Sequence, residues 1–298
     1  MPTLTAINPM RLRIPILSIA GLAAWMLVSP ACMRFRTSDK KAIREFGELG
    51  LRLDASHSLV EGRSLHCVSI GPDTLPTLLF VHGTPGSWTA FESFMKDSAL
   101  LRHYRMVGID RPGFGYSEFG KALPLREQTR LMWPVLDSLR NGRRLFLAGH
   151  SLGGPIVLRM AAERPDAVEG IMLISGSVDP ALEPRENWRR WMDVPPLRYL
   201  LPGAFRPSNT ELVYFKKDVK ELQEDFQKVT CDVHIVHGML DRWVPPGNAD
   251  HARRMLLNAR SVEWLMIEKG NHFIPWTYHR DVADAMVRML SKEAGERP

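Results

Sequence analysis

The apolar and polar positions of this chain fall into a repeated unit: a short continuous run of branched and leucine-type residues, a glycine-containing turn, then a stretch with apolar residues three and four apart. The runs are SLHCVSI, TLLFVHG, YRMVGID, RRLFLAG, GIMLISG, DVHIVHG and VEWLMIE, in that order between residues 64 and 268. Runs that are apolar throughout, rather than at alternate positions, predict strands covered on both faces and hence a parallel sheet. The covering layers come from TAFESFMKDSALLRH, LREQTRLMWPVLDSLRN, GPIVLRMAAERP, GNADHARRMLLNA and RDVADAMVRMLSKE, each with helical spacing. Pro134 is expected to kink or interrupt the second of these, because its ring displaces one helical hydrogen bond.

One region breaks the rhythm. Residues 180–230 hold no strand-like run; they are proline-punctuated, aromatic and helix-prone toward their end. An insertion of about fifty residues in a compact α/β domain usually covers a site. Ahead of the first run, residues 32–59 begin with the charged MRFRTSDKKAIREFGELG after Cys32 and read as a tether and leading edge element. The expected organisation is therefore 1–31 signal peptide or anchor, 32–59 tether, 60–179 first part of an α/β core, 180–230 helical cap, and 231–298 second part of the core.

Composition changes this picture little. The 298 residues are 45% hydrophobic and 24% charged, enough for one large buried core and unlike a disordered chain. The net charge of +6 is spread along the sequence. It fits solubility or attraction to an anionic lipid surface, and no nucleic-acid partner is expected.

The N-terminus changes it more. Arg11 and Arg13 precede IPILSIAGLAAWMLVSPAC, the basic, apolar, small-residue order of a secretory signal. As a helix, its apolar heart would rise about 22 Å, short of the roughly 30 Å of bilayer hydrocarbon. Cys32 after Ala31 resembles the cleavage box of bacterial lipoproteins, in which that cysteine becomes the lipid-bearing first residue, although Ser29 and Pro30 depart from the box. An uncharged stretch extending to Met33 keeps an uncleaved signal anchor open, with plain secretion or a cytosolic location as the remaining readings. The lipoprotein and anchor readings both place the folded domain at the bacterial cell envelope, tethered to a membrane outside the cytoplasm. Cys67 and Cys231 read as buried, unpaired thiols, and no cysteine–histidine spacing suggests a metal.

The chemistry-bearing residues cluster at the ends of the apolar runs. GHSLG, Gly149 to Gly153, stands between a strand-like run and a helical stretch, the setting in which a tight turn holds a serine hydroxyl outward. Ser151 is thus the candidate nucleophile, and a serine needs a base. His272, in EKGNHFIPW, follows the last strand-like run, while the other histidines lie too early, inside helical or strand patterns, or at the opposite sheet edge. The base needs a carboxylate behind it. Asp241, in HGMLDRWVP, is the preferred partner and Asp179, one strand earlier, its competitor. An oxyanion calls for backbone N–H donors. Leu152, after the nucleophile, and Thr84, in HGTPGSW, supply them; Pro85 cannot donate. DRPGFGYS, starting at Asp110, reads as a structural turn, and His82, His150 and His237 as supports.

Taken together, HGTPGS, DRPGFGYS, GHSLGG and HGMLDRWVP with GNHF resemble, in residues and order, the α/β-hydrolase superfamily in its cap-bearing esterase, C–C hydrolase and peptidase branch. The resemblance spans residues 60 to 295. It implies an α/β, mostly parallel eight-stranded sheet with helices on both faces and a small helical cap, and a cofactor-free acyl-enzyme mechanism on a small-molecule acyl substrate. Family members that open epoxides or remove halides carry aspartate in the elbow, so Ser151 argues against those activities. Peptidase members often carry a second glycine where Thr84 stands. The expected activity is hydrolysis of an ester, thioester, lactone or related carbonyl compound. Trp88, Trp188, Trp191 and Phe273, with Tyr199, are candidate pocket residues for an apolar substrate. The alternative is a catalytically silent member binding a ligand or protein at the envelope; a perhydrolase would use the same triad.

Overall fold

In the computed structural model, which describes residues 20–291, eight strands form one sheet. These are β1 (Leu53–Val60), β2 (Arg63–Ile70), β3 (Thr77–Val81), β4 (Arg105–Ile109), β5 (Leu145–His150), β6 (Gly170–Ile174), β7 (Asp232–Gly238) and β8 (Ser261–Ile267). Their spatial order is β1-β2-β4-β3-β5-β6-β7-β8. The β1–β2 and β2–β4 pairs are antiparallel, and every later pair is parallel. The mostly parallel eight-stranded sheet of the sequence reading is what the chain forms.

The unbroken apolar runs have the expected cause. In β3, Leu79 and Val81 enter one hydrophobic core while Leu78 and Phe80 enter the other; Leu147 of β5 faces the first, Phe146 and Ala148 the second. The first core is closed by helices α2 (Leu125–Ser138), α3 (Gly153–Glu163) and α4 (Phe205–Leu222). The second is closed by α1 (Asp39–Gly47), the turn Trp88–Phe91 and α6 (His279–Ser291), while α5 (Gly247–Met255) lies between β7 and β8 in the chain.

Three details differ from the sequence reading. The interruption expected at Pro134 does not occur: α2 runs through it, and Leu131, Met132, Trp133, Val135 and Leu136 on either side are buried in the first core. Packing of that face outweighs the one hydrogen bond proline forfeits. β1 is a full edge strand within the segment read as tether and leading edge element, where the sequence shows no strand run because LDASHSLV buries only its two ends. Residues 20–36 are docked: Gly203 N–H donates to Ser29 O (2.8 Å), Trp25 Nε1 to Leu200 O (2.9 Å) and Ala204 N–H to Met33 O (3.1 Å). Residues 20–28 are helical, and among the described residues no helix is long and apolar enough to cross a membrane.

The insertion between β6 and β7 carries no strand. It consists of short helical turns at Trp188–Met192 and Leu197–Leu200, then α4 and the turn Phe226–Lys228.

Candidate active site

The chain leaves β5 at His150 and enters α3 at Gly153, so that two residues make the whole turn. Ser151 accommodates this at φ +56°, the left-handed region that costs a non-glycine residue energy and persists where surroundings enforce it. The surroundings are visible. A Cβ at Gly149 would lie 2.1 Å from Gly153 O, one at Gly153 2.1 Å from Val81 O, and one at Gly154 2.7 Å from Gly176 Cα. Ser151 N–H donates to Ile174 O of the neighbouring strand (2.9 Å), which ties the turn to the sheet's carboxyl edge.

Gly83 packs against this serine: a Cβ there would stand 2.9 Å from Ser151 Cβ and 3.4 Å from its Oγ. The loop after β3 therefore lies over the nucleophile candidate. Two donors hold the Gly83 carbonyl, His82 Nδ1 at 2.7 Å and Arg111 Nη2 at 2.9 Å. His82 Nε2 accepts the Arg111 backbone N–H (3.0 Å), which assigns the ring proton to Nδ1. Burial, reinforced by the Arg111 charge, holds the His82 pKa well below the usual histidine range, so the ring stays neutral. Because the Gly83 carbonyl and the Thr84 N–H belong to one planar peptide, fixing the first aims the second. Among the described residues, neither the Thr84 nor the Leu152 N–H is engaged in a hydrogen bond.

On the other side, β7 delivers Asp241 and β8 delivers His272, both buried. His272 Nδ1 donates to Asp241 Oδ2 at 2.7 Å. Asp241 Oδ1 accepts the N–H groups of Trp243 (2.9 Å) and Val244 (2.8 Å), a turn that pins the carboxylate. Burial pushes the Asp241 carboxyl up, but the hydrogen bond and charge of His272 and the Val244 N–H more than offset it, so it titrates below its ordinary range. Asp179 goes elsewhere: its Oδ2 stands 3.6 Å from His251 Nδ1 and its Oδ1 accepts the Ala181 N–H.

His272 meets the elbow through His150: the rings lie 4.8 Å apart, and His150 Nε2 contacts His272 O at 3.0 Å. The Ser151 hydroxyl itself forms no hydrogen bond among the described residues. Burial, then the adjacent His272, pushes His150 down to about 3; burial likewise lowers His237, whose Nε2 contacts Val244 O at 2.9 Å. Neutral imidazoles thus surround the candidate base.

Of the pocket candidates, Phe273 joins a rim of rings with Trp243 (5.1 Å) and Trp276 (5.9 Å), and the Trp243 ring lies 5.3 Å from His272, tilted 40° to it. Trp188 and Trp191 are exposed and do not join that rim. Trp88 requires a correction: it is a core residue, its ring 6.3 Å from that of Phe46 and its backbone N–H on Asp110 Oδ1 (2.8 Å), because the turn Trp88–Phe91 lays the indole on the sheet beneath α1. Cys32 is half-buried and unpaired.

Sequence reasoning missed Trp243 and Trp276, although each lies within four residues of a proposed triad member, and missed Arg111 entirely. The Arg111 guanidinium is fully buried, pairs with Glu211 of α4 through both nitrogens, and bonds Gln128 Oε1 (2.9 Å) as well as Gly83 O. No local signal announces this, since Arg111 and Glu211 stand a hundred residues apart in the chain.

Residues 76–200 match the family model of the alpha/beta hydrolase fold. With the sheet order and the strand–turn–helix around Ser151, the fold of this chain is the alpha/beta-hydrolase fold. Among curated proteins, haloalkane dehalogenase 2 of Mycobacterium tuberculosis (strain ATCC 25618 / H37Rv) is 34% identical over 171 residues, 51% of this chain and 57% of that one. An sn-1-specific diacylglycerol lipase of Mus musculus is 30% identical over 104 residues, 35% of this chain and 34% of that one. The matches thus span about half or less of these relatives' length. A solved membrane phospholipase A, described as a novel bacterial virulence factor, superposes with a TM-score of 0.64 at 20% identity over 94% of this chain and 98% of that one, a likeness of fold.

Proposed function

We propose that the protein is a serine hydrolase that cleaves an ester, thioester, lactone or related acyl compound through an acyl-enzyme. The observation that carries the reading is the His272–Asp241 pair, closed at 2.7 Å beside a turn that holds Ser151 at φ +56°. Ser151 Oγ attacks the carbonyl carbon as His272 Nε2 takes its proton; Asp241 keeps the other ring nitrogen protonated and balances the imidazolium. The N–H groups of Thr84 and Leu152 stabilise the oxyanion, each worth a factor of about 10² to 10³ in rate. His272 then protonates the leaving group, and water repeats the sequence to release the acid. Arg111 and His82 are positioning residues, acting on Thr84 through the Gly83 carbonyl.

The dehalogenase relative does not extend its named activity to this chain in the same form, because a serine occupies the elbow where the resemblance implies aspartate for halide removal. Exposed Trp243, Phe273 and Trp276 beside the base favour an apolar acyl or leaving group, with the helical insertion as its cap. The N-terminal segment is proposed to hold the enzyme on a membrane of the cell envelope. Neither tethering mode leaves the docked segment as it stands: cleavage ahead of Cys32 removes Ser29, which is buried and bonded to Tyr199 O (3.0 Å) and Arg206 Nη2 (2.7 Å), and a span running to Met33 pulls Trp25 from Leu200 O (2.9 Å) as well. The mass of the mature chain from the membrane fraction decides between them.

The test of the chemistry is covalent labelling with a fluorophosphonate and turnover of short p-nitrophenyl esters. Both should vanish in Ser151→Ala, with turnover falling by about 10⁴ to 10⁶ as expected of residues that act as one unit. Retention of either by a folded Ser151→Ala protein refutes the mechanism.

A further inference from the structure

A second polar cluster lies away from the triad, on the β1–β2 hairpin. Register pairs His57 directly with His66, so the two imidazoles project from one face of the ribbon, 4.8 Å apart between ring centres. The first residue of α1, Asp39, sits over them. Its Oδ1 is 3.1 Å from His66 Nε2 and its Oδ2 3.5 Å from His57 Nε2, and one ligand atom from each of the three residues lies within 4.8 Å of the others. Four ligands at 2.0–2.1 Å around a tetrahedral ion stand about 3.3 Å apart, a value between the 3.1 and 3.5 Å separations of Asp39 from the two imidazoles.

His66 is fully buried, and its Nε2 and the facing Asp39 Oδ1 both lack a hydrogen-bond partner despite their closeness. Two shielded polar atoms whose one close contact is their 3.1 Å approach to each other, without hydrogen-bond geometry, are under-satisfied, and an ion held by both would satisfy them. The far nitrogen of His66 is already committed: Nδ1 stands 2.8 Å from Asp110 Oδ2. A carboxylate that takes the outer N–H of an imidazole is the support metal-binding histidines characteristically have, fixing the tautomer that presents Nε2 as a lone pair. His57 and Asp39 are partly exposed, which leaves an entry path and a coordination position for water.

We propose that Asp39, His57 and His66 form a structural binding site for a divalent transition-metal ion of the Zn²⁺ class. Two imidazoles and one carboxylate suit zinc, nickel or copper, and do not suit calcium or magnesium, which demand oxygen donors. The ion would tie the first turn of α1 to the hairpin. Through Asp110, whose carboxylate also accepts the N–H groups of Trp88 (2.8 Å) and Tyr116 (2.9 Å), it would brace the turns that follow β3 and β4. The effect is on stability, with no step of hydrolysis routed through it.

The experiment uses the full-length protein in detergent, freed of metal by chelation and titrated separately with ZnCl₂, CaCl₂ and MgCl₂. One equivalent of Zn²⁺ should bind, Ca²⁺ and Mg²⁺ should not, and at about 100 times Kd the melting temperature should rise by several degrees. His57→Ala and Asp39→Ala, at partly exposed positions that the fold tolerates, should each weaken Zn²⁺ binding at least about 10-fold and abolish the thermal shift, with ester turnover unchanged. Co²⁺ should give visible d–d bands that His57→Ala removes. The proposal is overturned if chelated protein takes up no Zn²⁺, as expected where His66 is only a protonated bridge between two carboxylates. It is equally overturned if uptake survives both substitutions, or if Zn²⁺ binds only by inhibiting turnover at His272. Labelling of Ser151 is read independently, so failure here and failure of the hydrolase reading are distinguishable.

Discussion

The turn around Ser151 and the helical insertion between β6 and β7 are built on opposite terms. At the turn, four backbone segments meet within contact distance, and the glycines exist because a methyl group would fall inside a neighbouring backbone atom. In the part of the insertion ahead of α4, large side chains such as Trp188, Trp191, Val194 and Tyr199 stay partly in water, and the helical turns are short. The first arrangement tolerates one geometry; the second tolerates many side chains. A hydrolase that keeps its chemistry constant while its substrate varies would need that division. The two regions are joined by buried polar contacts, among them the one where Arg111 reaches from the turn after β4 to Glu211 of α4 and to the Gly83 carbonyl.

The contrast breaks most sharply at Gly153→Ala. Its Cβ would come 2.1 Å from Val81 O, backbone that cannot step aside, so a stability loss above about 4 kcal/mol is expected, read as failure to fold or a large drop in denaturation midpoint. An ordinary melting curve for this variant would show the turn to be looser than its geometry implies. Next comes the joint. Arg111→Met strands the Glu211 carboxylate and should cost about 3–5 kcal/mol, whereas Arg111→Met with Glu211→Leu should recover much of that stability. Turnover should stay depressed in the double variant by up to the value of one oxyanion donor, about 10²- to 10³-fold, because the Gly83 carbonyl has lost a donor. Full activity there would reduce Arg111 to a structural pair.

Acid sharpens the comparison. His150 ionises in the unfolded chain near the ordinary histidine value but only near pH 3 when folded. The unfolded state therefore binds more protons below about pH 6.5; the stability owed to the neutral ring is complete above that pH and declines steadily as pH falls toward 3. Between pH 6.5 and 5 that amounts to about 2 kcal/mol, and His150→Gln should flatten this part of a stability-against-pH curve, measured by urea titration at each pH. An unchanged slope would mean that the buried ring does not govern the acid limb. The smallest effect belongs to the insertion. Trp191 is 71% exposed, so Trp191→Ala should change stability by no more than about 0.5 kcal/mol while shifting KM more for long than for short acyl esters. Equal KM changes across chain length would detach the insertion from substrate choice.

Much of this was legible in the chain. The alternation of apolar runs and helical stretches specified the sheet, because a strand covered on both faces must be apolar at every position, and the ordered motifs specified the turn at Ser151. β1 was legible only as an unbounded leading edge element, since an edge strand with one covered face mixes polar and apolar residues and shows no continuous run. Trp88 was misassigned for a related reason: an indole near a functional loop and an indole under it have the same sequence signature, and only the 3₁₀ turn sends this one into the core.

By itself the sequence determined the local matters: which segments are strands, where the backbone must turn too tightly for a side chain, and which serine, histidine and aspartate stand at strand ends. These follow from steric and hydrophobic rules acting over a few residues. The tertiary structure decided what depends on partners far along the chain: that Asp241 rather than Asp179 faces His272, that Arg111 finds Glu211, that Ser29 is buried beneath the insertion, and that Asp39 closes over His57 and His66. A charged or titratable group takes its character from whatever folding brings within a few ångströms of it, and no short stretch of sequence contains that information.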